Sequence, residues 1–195
     1  MNTMLEISLY LLQGLGGLLV VAFLLRFLMQ LSRTSFYNPI AQTIYKITHF
    51  PVNSLSIILP PYRTFNSASL TLALILEFAI VMASFLLVGG ALNNFLYPAL
   101  WAVIGVLSMM LNIYLYGILI VVIVSWVAPH SQHPVITLIW QLVEPIIAPV
   151  RKFIPPVGGL DLSVMVVALG IGMLRIILRN LAGTLALAPS LVPGI

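Results

Sequence analysis

The sequence predicts an all-α polytopic membrane protein built from two tandem repeats. Three observations carry that reading. Of 195 residues, 62% are hydrophobic and 6% are charged, whereas a soluble domain carries roughly 25% charged residues. Four apolar runs, roughly 7 to 31, 67 to 92, 99 to 127 and 162 to 183, each reach the length of about 20 residues that a helix needs to cross a bilayer. The stretch between the first two runs then recurs, without a gap, between the last two.

That recurrence sets the organisation of the chain. Residues 38–61, NPIAQTIYKITHFPVNSLSIILPP, align with residues 133–156, HPVITLIWQLVEPIIAPVRKFIPP, 95 positions further on. Pro39 meets Pro134, Ile44 meets Ile139, Tyr45 meets Trp140, and Pro60 with Pro61 meets Pro155 with Pro156. Each copy lies between two apolar runs, so the predicted unit is a transmembrane helix, an interfacial connector helix and a second transmembrane helix. Two such units, residues 1–95 and 96–195, give four spans in all.

The first span has no lysine or arginine before Arg26 and carries Glu6. It lacks a short apolar core ending in a small-residue cleavage site, so it reads as a retained span. Glycines 14, 16 and 17 in it, like glycines 170 and 172 in the fourth span, suit close helix packing. The first connector, read as a helix over 36–49, places Phe36, Ile40, Ile44 and Ile47 on one face. Asn38, Gln42, Lys46 and His49 fall on another, and the second copy repeats that polar stripe as His133, Thr137, Gln141 and Glu144. A polar stripe on an otherwise apolar helix of about 14 residues, too short to span, is the pattern of a helix lying in the membrane plane. A re-entrant second connector is the alternative, because residues 134–148 are apolar.

Side-chain oxygens at Asn66, Ser67 and Ser69, and at Asp161 and Ser163, are placed to cap the second and fourth spans. Asn93, Asn94 and Pro98 punctuate the turn between spans two and three. That turn has no basic residue, whereas Arg26, Arg33, Lys46 and Arg63 cluster around the first connector and Arg151 with Lys152 belongs to the second. By the positive-inside rule both connectors face the cytoplasm. Arg175 and Arg179, at the far end of the fourth span, pull the other way.

The chain has no cysteine, which removes disulfides, thiolate catalysis and cysteine-held metal. Its net charge of +4 comes from eight scattered basic residues flanking apolar runs. They read as topology signals and headgroup contacts rather than a nucleic-acid surface. No phosphate loop, nucleophile–base pair or zinc-protease motif is present, so no enzyme activity and no cofactor are expected. His49, His130 and His133 lack the spacing of a metal or haem site.

Two charges stand deep in apolar sequence, Glu77 and Arg175. Glu77 maps by the repeat to Gly172, one turn before Arg175, so the two are expected to pair across the pseudo-twofold axis if spans two and four face each other. Such a pair would be a clamp between repeats or part of an ion or proton path. The basic elbow of Arg151 and Lys152, with Arg33, Lys46 and Arg63, is the candidate surface for anionic lipid or an acidic partner segment.

The strings LLRFLMQLSRTSFYNPIAQ and SWVAPHSQHPVITLIWQLVEPIIAPVRKFIPPVGGLDLS resemble the YggT family of bacterial and plastid membrane proteins. The most specific segment is EPIIAPVRKFIPPVGGLD, from Glu144 to Asp161. The first half departs from it, with Ser56 and Ile57 where the basic pair stands and Arg63 and Asn66 in place of the Gly and Asp. The resemblance implies a multi-pass protein of the bacterial inner membrane without a known reaction. It also implies links to osmotic-stress tolerance and ion uptake, to cell division and envelope organisation, and in plastids to haem attachment on a cytochrome. Three functions follow as expectations: a scaffold or assembly factor, a small ion transporter or channel subunit, and a cytochrome assembly factor. Membrane lipid, a membrane-protein partner and a second copy of the chain are the expected partners.

Overall fold

The computed structural model describes residues 3–89, 95–128, 131–154, 161–185 and 191–194. Six helices run through them: α1 (Thr3–Leu31), α2 (Pro39–Ser56), α3 (Ser67–Leu87), α4 (Leu96–Val127), α5 (Pro134–Arg151) and α6 (Leu162–Thr184). The start and end of α5 are those of α2 displaced by 95 positions, and α6 starts 95 after α3. Pro60 and Pro61 are described, but their counterparts Pro155 and Pro156 lie outside the described residues, as do Asn93, Asn94 and His130.

The local chemistry that ends one element and starts the next is also shared. Asn38 caps α2, its side-chain oxygen accepting from the N–H groups of Ile40 and Ala41, and Pro39 occupies the first turn, where its missing N–H costs nothing. At the equivalent place His133 caps α5 through Nδ1, again followed by proline. Asn66 caps α3 and Asp161 caps α6, as the sequence predicts. Arg33 and Arg63 both adopt left-handed backbone, with φ of 54° and 53°. Arg33 does so where α1 stops and the Thr34 N–H turns back to the Met29 carbonyl.

The connectors are longer than the sequence pattern predicts. α2 continues through Pro51 to Ser56, and α5 through Pro145 and Pro149 to Arg151. Proline frees the carbonyl four residues back. Pro145 and Pro149 are exposed, so that side of the helix is open and continuation is tolerated. Eighteen residues make a helix of about 27 Å, slightly short of the roughly 30 Å hydrocarbon core. Five helices, α1, α3, α4, α5 and α6, are nevertheless long and apolar enough to cross a membrane.

α1 packs most closely on α3, α3 continues onto α4, and α4 carries both α5 and α6. Val20, Leu24, Ala73, Ile80, Val106 and Met109 interlock where α1, α3 and α4 meet. The return segment Leu191–Gly194 fills a second cluster, with Leu191 and Val192 among Val81, Trp101, Ile104 and Ala182. This packing corrects the expected Glu77–Arg175 pair. α3 packs chiefly on α1, α4 and α2, and α6 chiefly on α4 and α5. Both Glu77 oxygens are buried with no hydrogen-bond partner. α3 packs along α4, the next helix in the chain, and it shares with α6 the cluster around Leu191 and Val192, through Val81 and Ala182.

Candidate functional site

The two connectors meet at one end of the bundle, and hydrogen bonds hold them together. Asn38, 8% exposed, donates from Nδ2 to the Pro134 carbonyl at 2.7 Å. The Ser35 N–H donates to Gln141 Oε1 at 3.1 Å, and the Ser32 hydroxyl to the Leu142 carbonyl at 3.4 Å. Beneath these bonds Ala41, Leu138 and Leu142 pack against Phe27, Leu28 and Met29 of α1. Of the expected polar stripe only Asn38 is buried, Gln141 and Glu144 are half-buried, and Gln42, Lys46, His49, His133 and Thr137 stay exposed. Gln42 donates to the Phe36 carbonyl and Thr137 to the His133 carbonyl, while exposed His49 leans on the Tyr45 ring.

Arg151 is a brace. Its Nη1 donates to Glu144 Oε1 at 2.7 Å and its Nε to Asp161 Oδ2 at 2.8 Å. Seven residues separate Glu144 from Arg151, two helical turns, so both lie on one face of α5. Asp161 simultaneously caps α6, accepting from the Ser163 N–H and hydroxyl, so the triad ties the end of α5 to the start of α6. Burial draws the Asp161 carboxyl upward, but the bonds from Ser163 and the Arg151 guanidinium outweigh it and hold the group below the ordinary carboxylate range. Arg151, expected as a ligand for anionic lipid or an acidic partner segment, is thus already paired with two carboxylates of its own chain. Lys152, Arg33, Lys46 and Arg63 remain exposed, with Arg63 over the Tyr62 ring at 5.5 Å.

Two cavities flank α5 with Trp140 on the wall of each. One, of about 500 Å³, is bounded by Ser32, Trp140, Gln141, Glu144, Pro145 and Ala148. The other, of about 320 Å³, reaches Trp126, Asp161 and Met165. Among the described residues no three His, Cys, Asp or Glu side chains converge.

Sequence reasoning missed Arg26. It is 7% exposed, donates to Thr48 Oγ1 at 3.1 Å and lies over the Tyr45 ring at 4.4 Å, an arrangement that offsets the burial of its charge. Tyr45 and Thr48 lie three apart on α2, but nothing in the sequence says that Arg26 reaches them. A buried polar seam was also missed, although its spacing is legible: Asn66, Ser69, Ala73, Glu77, Ile80 and Ser84 recur at intervals of three or four and are all buried on α3. α1 answers it with Gln30, which accepts from Asn66 Nδ2 at 2.7 Å, and with Gln13, which donates to Ser84 at 3.5 Å.

The duplication and the paired connectors have a family counterpart. The CCB3/YggT family model matches residues 5–87 and again residues 100–182, the same 95-residue register that relates α2 to α5. The chain belongs to the CCB3/YggT family. Among its relatives are an uncharacterised protein of Pseudomonas aeruginosa, 37% identical over 90% of both chains, and the uncharacterised YggT of Escherichia coli, 32% identical over 95% of both. An uncharacterised protein of Vibrio alginolyticus is 29% identical over 89% of this chain and 94% of its own. No solved structure matches the chain. For this YggT-family chain the relatives supply a family and a repeat.

Proposed function

We propose that this chain is a non-catalytic, four-span scaffold of the bacterial inner membrane. Its two connectors lie in the cytoplasmic interface and present a joint platform for anionic lipid and for a membrane-protein partner. One observation carries the reading: α2 and α5 are stitched side by side, with Arg33, Lys46, Arg63 and Lys152 exposed in the connector layer among exposed Tyr37, Phe50, Tyr62 and Phe153. Phe153 is 86% exposed and Tyr37 93%. Large rings beside basic groups at the end of a membrane bundle are anchors for the headgroup region. A juxtamembrane lysine or arginine is worth about 1 kcal/mol against an anionic surface. A platform of this kind suits recruitment in cell division, envelope organisation or osmotic adaptation. With few helices to bury, it also suits self-association.

The four-span layout has a direct test, because the chain contains no cysteine. Gln132→Cys and Phe153→Cys mark the two ends of α5. If α5 lies in the interface, an impermeant maleimide labels both from the same side of the membrane. Labelling from opposite sides makes α5 a span. For the platform itself, the purified protein is transferred from mixed vesicles of phosphatidylglycerol and phosphatidylcholine into detergent, and retained lipid is counted by native mass spectrometry. Phosphatidylglycerol is expected to be retained preferentially. Changing Arg33, Lys46, Arg63 and Lys152 together to glutamine should abolish that preference. Equal retention of both lipids by the unaltered chain refutes the platform.

A further inference from the structure

The buried, unpartnered side-chain atoms among the described residues fall on one seam. They are Ser69 Oγ, both oxygens of Glu77 and Asn112 Oδ1, on α3 and α4, two helices that pack together. Buried polar atoms in folded proteins are almost always satisfied, and an ionised carboxylate in an apolar interior is costly. Glu77 is 0% exposed. Its carboxyl rests against Gly105 of α4, at a place where a Cβ would collide with Glu77 Oε1 and lie 2.8 Å from Val192. The carboxyl and Val192 therefore cover the same spot on α4.

Val192 belongs to the return segment Leu191–Gly194, which runs along α4 from Gly105 to Asn112, whose Nδ2 donates to the Gly194 carbonyl at 2.8 Å. Leu191 and Val192 are buried, and Pro193 reaches toward Gly17 of α1. On the buried face of α3 that carries Glu77, Ala73 and Ile80 pack with Val20 and Leu24 of α1 and with Val106 and Met109 of α4, and Val192 of the return segment lies with the carboxyl over Gly105. The charged groups bordering that segment are Arg175 and Arg179, which share a crevice with Ser108 and Gly194. Arg26, further along α1, is engaged by Thr48 and Tyr45. Of the tyrosines further along α4, Tyr114 packs in the α4–α5–α6 cluster and Tyr116 is exposed.

Polar groups continue from Glu77 toward both ends of the bundle. In one direction stand Asn112, Ser69, and the Asn66–Gln30 pair; in the other stand Ser84 and Gln13. Seven residues separate Glu77 from Ser84 along α3, about 11 Å, a gap that water bridges once it is admitted.

We propose that Glu77 is a proton-binding carboxyl at the centre of a conduction seam through α1, α3 and α4, and that Leu191–Gly194 is the plug that closes it. A proton is the cation the site takes, since a carboxyl packed against Gly105 and Val192 accepts one without needing space. Dislodging the plug admits water between the polar groups, and Glu77 then relays protons from one end of the seam to the other. This proposal does not rest on the connector platform, and its test reads a different quantity.

The full chain is reconstituted in liposomes holding a pH-sensitive dye, with a potassium gradient and valinomycin to drive proton entry. The unaltered chain is expected to pass protons slowly. Leu191→Asn with Val192→Asn, which removes the apolar anchors of the plug, should raise the rate at least tenfold. Adding Glu77→Gln should return it to that of protein-free vesicles. No increase in a folded plug variant, or an increase that survives Glu77→Gln, overturns the proposal. If the plug variant does not fold, infrared spectroscopy on the unaltered chain decides. At neutral pH a protonated-carboxyl stretch must be present that Glu77→Gln removes and Glu6→Gln leaves, and its absence overturns the proposal.

Discussion

Gly105→Ala is expected to destabilise the protein by about 1–3 kcal/mol, the range for forcing a methyl group into a filled core. Alanine is otherwise the better helix former. The new methyl would meet the Glu77 carboxyl and stand 2.8 Å from the Val192 side chain and 3.2 Å from Glu77 Cδ. Helix backbone fixes the methyl, so Glu77 or the return segment has to move, and moving either exposes a buried group. Gly14→Ala and Gly170→Ala are the controls, because a Cβ at either position meets nothing within 4 Å. Both should melt within about 1 kcal/mol of the parent, or slightly above it. Thermal melting in detergent, followed by the fraction surviving size-exclusion chromatography, separates the outcomes. A Gly105→Ala protein as stable as the controls would mean that Glu77 and Val192 do not occupy the spot over Gly105.

Arg151→Ala should cost about 1–3 kcal/mol, because it removes two charge-assisted hydrogen bonds at once and leaves Glu144 and Asp161 without their common cation. The figure sits below that for a fully buried network because about a third of the Arg151 side chain is exposed, at 32%. Arg151→Lys should recover only part of the loss, since an ammonium does not reproduce the fork that reaches both carboxylates. The pH dependence has a definite sign. Asp161 is held below its ordinary value in the folded protein. Its contribution is therefore fully present above the unfolded value, about 3.9, and is lost as pH falls through the lower folded value. The parent and Arg151→Ala should differ at neutral pH and converge below about pH 4. A gap unchanged down to pH 2 would show that Arg151 stabilises by something other than these carboxylates.

Much of this protein is written in local sequence. Apolar length marks the helices able to cross a membrane, the Asn-Pro and His-Pro pairs start the connectors, and Asn66 and Asp161 start α3 and α6, because caps depend on neighbours a few residues away. The duplication is legible for the same reason, as two copies of one local pattern. The connectors outrun the span of the polar stripe, continuing through Pro51 in α2 and through the exposed Pro145 and Pro149 in α5.

What only the tertiary structure decides is which distant groups meet. The repeat correctly aligned Glu77 with the neighbourhood of Arg175, but alignment of copies says nothing about which faces touch, and packing put Glu77 against Gly105 and Val192 instead. Arg151, legible as a cation, is held by Glu144, two turns away, and by Asp161, ten residues further along the chain. Arg26 found its partners on another helix altogether. Caps and spans are fixed by energies that act within a turn or along one helix. The pairing of charges is fixed by how helices dock, a choice made by the whole apolar surface at once and therefore not carried by any short stretch of the chain.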